Sequence, residues 1–239
     1  MKIVKNTNEE LCFAAEMPES LANAIRRSAL EIPMLAIDEV EFVKNDSVLY
    51  DEVLALRLGL LPLKFDKTLK LKEECTCKGK GCSKCTIQLK LSVDEPGIVY
   101  AKELKGSAKP VYPEMPLVYL AEGQELQFVA FARLGKGIEH TKYSPGLVYY
   151  RHAAELEGNK KDSKVIERYP KGILEFKDSE IKLADKYNTD FFDTDKSLDF
   201  KIVPGKEIVF CIESWGQMPA KEILVRAVKA LKDNLKELK

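Results

Sequence analysis

Leu21-Ala-Asn-Ala-Ile-Arg-Arg27, Ile32-Pro-Met-Leu-Ala-Ile-Asp-Glu-Val40 and Asp51-Glu-Val-Leu-Ala-Leu-Arg-Leu-Gly-Leu-Leu-Pro-Leu63 follow one another near the start of the chain. Their order reads as helix, strand, helix. Pro18 suits the first turn of a helix, where its missing N–H is no loss, and Glu19 suits the positive end of the dipole. Leu21, Ala24, Ile25, Ser28 and Ile32 recur at helical spacing, which predicts a helix to about Glu31 ended by Pro33. Arg26 and Arg27 are adjacent, so they diverge by about 100° and point away from that face. Ala36–Val43 reads as a strand and Asn45-Asp-Ser as a turn. Tyr50–Leu61 reads as a second helix, apolar at Val53, Leu54, Leu56, Leu58 and Leu61 and closed by Gly59 and Pro62. That stripe is broad, so much of this helix is expected to be buried.

On the N-terminal side, residues 2–16 read as two short strands around the polar turn Lys5–Glu10. On the C-terminal side, Thr86–Val93 and Leu126–Leu134 alternate apolar and polar residues, the mark of half-buried strands. A Pro-rich connection, Lys109–Pro116, lies between them, and residues 136–146 read as a Gly/Ser/Pro loop. Residues 155–164 are polar and read as a mobile linker. Ile173–Leu183 suggests a hairpin around Asp178-Ser179, and Glu207–Glu213 a strand. Pro219 opens a last helix whose apolar seam runs through Leu224, Ala227, Val228, Leu231, Leu235 and Leu238.

The chain has 239 residues, enough for one large or two modest domains. Lys plus Arg equals Asp plus Glu, so the net charge is zero. That balance argues against a protein devoted to gripping nucleic acid. No apolar run reaches the length of a membrane span, and the first residues lack a signal-type stretch, so a cytoplasmic location is expected. In that compartment six cysteines argue against a disulfide framework and toward metal.

Four of the six stand in Cys75-Thr-Cys77-Lys-Gly-Lys-Gly-Cys82-Ser-Lys-Cys85, spaced C-x-C-x4-C-x2-C. Gly79 and Gly81 allow the tight turn that brings the pairs together. Four thiolates with no open position describe a structural zinc site. An iron–sulfur cluster is the other metal reading, although ferredoxin-type runs space their ligands differently. Lys72, Lys78, Lys80 and Lys84 would offset part of the negative charge of a tetrathiolate centre. Cys12 and Cys211 sit in apolar strand patterns and read as buried small hydrophobes.

The segments at 21–63 together resemble the alpha-like assembly subunits of multisubunit RNA polymerases, most closely the archaeal D subunits. Bacterial alpha and the third-largest eukaryotic polymerase II subunit are more distant relatives. The resemblance extends to the cysteine loop and to Glu139-His-Thr-Lys-Tyr-Ser-Pro145. It implies an α+β fold with a split dimerisation domain, residues 1–40 and 147–239. Between its halves lies an insert domain, 41–146, mostly antiparallel sheet and carrying the metal loop. It implies a non-catalytic subunit of a DNA-directed RNA polymerase that pairs with an L subunit. That pairing would use Leu21, Ala24 and Ile25 and the seam of Leu224, Ala227, Val228, Leu231 and Leu235. Arg26 and Arg27 would contact the large catalytic subunits, and the small N and P subunits would complete the platform. DNA would be met only through the complex. Many archaeal D subunits carry an inserted ferredoxin-like domain with iron–sulfur clusters. No cysteine lies between Cys85 and Cys211 here, so residues 168–202 read as a cluster-free remnant.

Other chemistry has little support. The chain lacks a G-x-S-x-G, a Walker A loop, a dinucleotide fingerprint and the Asp-x-Asp-x-Asp type of cluster that holds catalytic magnesium. His140 reads as a loop-positioning residue, and Asp38, Glu39, Glu41, Asp193 and Asp195 as solvated acids. The rival function is a free-standing zinc or redox module; a single-strand nucleic-acid binder is a third reading, weakened by the neutral charge.

Overall fold

A computed structural model of the chain describes residues 1–64, 69–161, 163–195 and 197–237. In chain order the elements are β1 (Lys2–Asn6), β2 (Glu10–Glu16), α1 (Glu19–Ser28), β3 (Met34–Asn45) and α2 (Asp51–Gly59). Then come β4 (Thr86–Val93), β5 (Gly97–Tyr100), β6 (Lys105–Gly106), β7 (Pro116–Leu120) and β8 (Leu126–Gly135). The chain ends with β9 (Gly146–Gly158), β10 (Leu174–Lys177), β11 (Glu180–Leu183), β12 (Phe200–Ser214) and α3 (Ala220–Glu237). Leu238 lies outside the described residues.

Two four-stranded antiparallel sheets organise these elements, in the orders β1-β2-β12-β9 and β3-β8-β4-β6. In the first, alternation sends Leu11, Phe13, Ile208, Phe210 and Ile212 to one face, where α1 and α3 cover them. Phe13 and Phe210 are directly paired and their rings stack at 5.5 Å. Cys12, Ala14, Val209 and Cys211 point to the opposite face. In the second sheet Ile87, Leu89, Leu91, Phe128, Ala130 and Ala132 fill a separate core with Leu54 and Leu58 of α2 and with Leu61 just after it.

β3 serves both cores. Met34 and Ala36 face the first, Leu35 and Ile37 the second. A β-bulge between Ile37 and Glu39 then shifts the parity by one residue, so Val40 and Phe42 continue into the second core. Asp38 sits on the bulge.

The described structure departs from the sequence reading at several points. Residues 155–158, read as part of a linker, extend β9: Glu155, Leu156, Glu157 and Gly158 pair with Val203, Ile202, Lys201 and Phe200. Their polar side chains hid a backbone pairing that only a distant strand supplies. The connection before β8 holds two short strands, β5 and β7, paired with each other. α2 is less buried than its composition suggests, because Leu54 and Leu58 turn inward while Leu56 is 57% and Val53 43% exposed. The hairpin at Asp178-Ser179 is present, with both residues at positive φ as a tight two-residue turn requires.

Cys12 and Cys211 are opposite one another in β2 and β12 and form a disulfide. This corrects their reading as unlinked small hydrophobes: both are buried, but the ladder brings together two residues 199 positions apart.

Gly146 begins β9 against β12. A Cβ there would lie 2.2 Å from the Glu213 carbonyl oxygen, a backbone atom that cannot rotate away. Gly146→Ala should therefore force the strands apart and cost about 2–3 kcal/mol; equilibrium urea unfolding of the purified chain measures this, and an unchanged midpoint would refute the close packing.

Candidate metal centre and subunit surfaces

The cysteine loop is a local structure. Lys78, Gly79 and Gly81 adopt positive φ, and the Lys78 and Lys80 amides donate to the carbonyls of Cys75 and Cys77. A second turn closes where the Cys85 amide donates to the Cys82 carbonyl and the Cys82 amide donates to the Cys85 sulfur. The Lys70 amide bonds to the Lys84 carbonyl and draws the two ends of the loop together. β4 begins at the next residue, Thr86, so the second pair of cysteines is anchored on the sheet.

The result brings all four sulfurs within 4.8 Å of one another. Cys75 to Cys82 and Cys77 to Cys85 are each 3.6 Å, and Cys82 to Cys85 is 3.9 Å. Four sulfurs at about 2.3 Å from one tetrahedral ion would stand roughly 3.8 Å apart. The donor set and spacing therefore fit one four-coordinate metal ion. Desolvation raises the Cys77 thiol pKa, but hydrogen bonds from Cys75, Cys85, the Gly81 amide and Cys82 outweigh it and bring it down to about 6. The site thus favours the thiolate that a metal requires. Cys75 and Cys85 are buried, whereas Cys82 lines a cleft of about 580 Å³ with charges of both signs, among them Lys72, Lys80, Glu39 and Glu41.

Asp38 is not a solvated acid. Its carboxylate accepts hydrogen bonds from Arg133 Nε at 2.6 Å, Lys142 Nζ at 2.7 Å and the Tyr143 hydroxyl at 2.9 Å. Burial pushes the carboxyl up, yet these three donors hold it well below the ordinary value of 3.8. Arg133 lies on β8 and Tyr143 in the first core, so one carboxylate ties the two sheets' cores together. His140 accepts from the Lys142 amide at 3.1 Å, which fits its expected loop-positioning role. Asp193 likewise accepts from the Tyr169 hydroxyl and the Ile202 amide rather than standing free in water. Asp195 holds a turn through Ser197, while Glu39 and Glu41 are exposed.

The expected partner residues divide by their surroundings. On α1, Leu21 is 42% exposed, Ala24 and Ile25 are partly covered, and Ile25 packs on the first core. Arg27 is exposed, whereas the Arg26 guanidinium is held by Asn23 at 2.9 and 3.1 Å. On α3 the inward residues are Ile223 and Ala227, both essentially fully buried. Ala227 is thereby occupied by the chain's own core and does not face outward, a correction to the seam read from the sequence. Ile223 was missed because its neighbours at heptad spacing looked more regular. At 100° per residue the remaining seam of Leu224, Val228, Leu231 and Leu235 lies roughly 90° around the helix from the inward line. Leu224 packs against the core, Val228 and Leu231 are half-buried, and Leu235 and Val225 are 55% and 60% exposed.

The RNA polymerase Rpb3/RpoA insert domain family matches residues 37–147, the stretch that carries the bulge, α2, the cysteine loop and the second sheet. Over nearly its whole length the chain is similar to the DNA-directed RNA polymerase subunit Rpo3 of Pyrococcus horikoshii, with 35% identity covering 97% of this chain and 93% of that protein. The Rpo3 of Thermococcus kodakarensis is 38% identical over 88% of this chain and 84% of its own length. That of Methanothermobacter thermautotrophicus is 34% identical over 98% and 95%. With the insert-domain match and these full-length relationships, the chain belongs to the Rpo3 family of DNA-directed RNA polymerase subunits.

Proposed function

We propose that this chain is the assembly subunit of a DNA-directed RNA polymerase in the cytoplasm, itself without catalytic residues. Residues 1–40 and 147–239 form the dimerisation domain and 41–146 the insert domain. α1 and the outer flank of α3 receive an L-type subunit, and the resulting platform seats the large subunits with N and P. The observation that carries this reading is the apolar surface left on the α1–α3 layer at Leu21, Val225, Leu231 and Leu235, beside residues the chain has already buried for itself. A preformed heterodimer would present a composite surface that neither half offers. The exposed apolar residues at the end of α2, Leu56 within it and Leu60 just after it, supply a second surface for another subunit.

The metal is zinc, held by Cys75, Cys77, Cys82 and Cys85, and its chemistry there is cross-linking. Sulfurs 3.6–3.9 Å apart support one shared ion, because a cluster of several irons spreads its thiolates over separate metal atoms. The sequence offers no cysteine from 86 to 210, so no cluster is assigned to 168–202.

Co-expression with an L-type subunit should give a one-to-one complex on size-exclusion chromatography. Leu231→Asp together with Leu235→Asp should weaken that complex by about a hundredfold, since each places a charge in an apolar contact. A chain that ignores every L-type partner would overturn the assembly reading; a double variant that binds normally would move the interface elsewhere.

A further inference from the structure

The Cys12–Cys211 disulfide joins the N-terminal and C-terminal halves of the first sheet. It lies on the face away from α1 and α3, and its surroundings on that face include Ala14, Ala153, Val209, Val4, Tyr149 and Tyr187. Tyr187 belongs to the stretch that otherwise has no assigned role.

The turn around Tyr187 is built to stay in place. Asp185 accepts the amides of Tyr187 and Asn188, and the Asp185 carbonyl accepts the Thr189 hydroxyl. Arg151 of β9 reaches across with both terminal amino groups. One meets the Asp190 carboxylate; the other bonds the Tyr187 carbonyl at 2.7 Å and Asn188 Oδ1 at 3.1 Å. Its Nε is left buried without a partner, so holding the turn takes precedence over satisfying that donor. The Ala154 amide bonds the Lys186 carbonyl, Lys186 pairs with Glu207 of β12, and the amines of Lys2 and Lys186 lie 4.9 and 4.7 Å from the Tyr187 ring centre.

We propose that residues 184–190 are a cover that seals the Cys12–Cys211 disulfide against thiol reductants, so that the covalent link between the two halves of the split sheet survives in a reducing compartment. Reduction by a dithiol takes two exchange steps. Its thiolate attacks one sulfur of the pair along the S–S axis and displaces the other as a thiolate. The second thiol of the reductant then closes its own disulfide, leaving Cys12 and Cys211 as thiols with two electrons supplied by the dithiol. The bond's accessibility is therefore set by how often the Tyr187 turn lifts.

The test treats the full-length chain with dithiothreitol under native conditions, quenches with iodoacetamide, and follows alkylation of the Cys12 and Cys211 peptides by mass spectrometry. Tyr187→Ala and Arg151→Lys should each speed reduction by about tenfold or more, with unchanged far-ultraviolet circular dichroism. Lys182→Ala, at an exposed ion pair elsewhere in the same insertion, should leave the rate alone. If Tyr187→Ala does not fold, Arg151→Lys alone decides the matter, since it keeps the charge and loses only the forked grip. Equal rates in wild type and a folded cover variant would overturn the proposal, as would alkylation of both cysteines in wild type before any reductant is added.

Discussion

An Asp38→Asn chain should unfold roughly 5–10 °C below wild type at neutral pH, the effect of losing about 2–3 kcal/mol in a chain of this size. The carboxylate is only 22% exposed, and it neutralises two cations that are themselves 18% and 15% exposed. Removing its charge leaves the Arg133 and Lys142 cations without their shared anion and with one acceptor oxygen fewer, while the Arg133 guanidinium carbon and the Lys142 amine each lie 5.1 Å from the Tyr143 ring centre. Gly135 adds to the constraint, because a Cβ there would come within 2.6 Å of that ring, so Tyr143 cannot back away from the acid without disturbing β8. The direction of the pH dependence follows from the lowered carboxyl pKa. In the unfolded chain Asp38 takes up a proton near the ordinary value of 3.8, whereas in the fold it resists protonation. Its stabilisation is complete above that value and is lost as the pH falls below it. The gap between wild type and Asp38→Asn in thermal midpoint should thus be full at pH 6 and shrink toward pH 3. A gap that is constant over this range would mean that the charge of Asp38 does not hold the joint.

The same residue shows where the sequence could be read and where it could not. Alternation in Thr86–Val93 and Leu126–Leu134 is a local signal, and both strands stand where it places them. The cysteine loop is equally local, since the residues that turn it and those that supply sulfur lie within eleven positions. Asp38 needed a longer view. Its signal was present as a break in parity, from Leu35 and Ile37 to Val40 and Phe42, which only a bulge can reconcile with one continuous core. Reading Ala36–Val43 as an ordinary strand left Asp38 on the surface. The pairing of Cys12 with Cys211 and the extension of β9 through residue 158 had no local signal. Both depend on the register of β12, whose partners lie far along the chain: Cys12 is 199 residues from Cys211, and Gly158 and Glu155 pair with Phe200 and Val203 across the intervening insertion. On α3, helical periodicity identified an apolar helix correctly but not which side of the apolar arc turns inward. Ile223 and Ala227 take the core because α1 packs there.

Removing the zinc proposed for the cysteine loop should have the largest local effect, because the loop has little else to hold it. Cys75 and Cys85 are the buried sulfurs of the four, while Cys77 and Cys82 remain partly open to solvent. Without an ion nothing bonds the four sulfurs to a common centre, and the turns that position them depend on a few backbone hydrogen bonds. Structural zinc sites contribute on the order of 10 kcal/mol to the fold around them, and the zinc proposed for this loop should act in the same way. Cys85→Ser, or a strong chelator on the wild-type chain, should reduce bound zinc from about one ion per chain to near none. The loop carries Lys72, Lys78, Lys80 and Lys84, so trypsin provides the readout. Cleavage within 72–84 should be slow in the metal-loaded protein and at least about tenfold faster after chelation, as local opening replaces a closed site. The effect should stay within the second sheet's domain. The α1–α3 layer belongs to a different core, so pairing with an L-type subunit should persist after chelation even as the loop is cut. Loss of pairing on metal removal would show that the two cores are coupled through β3 and the Asp38 joint. Unchanged trypsin resistance in a metal-free chain would show that the four cysteines hold their turns without an ion.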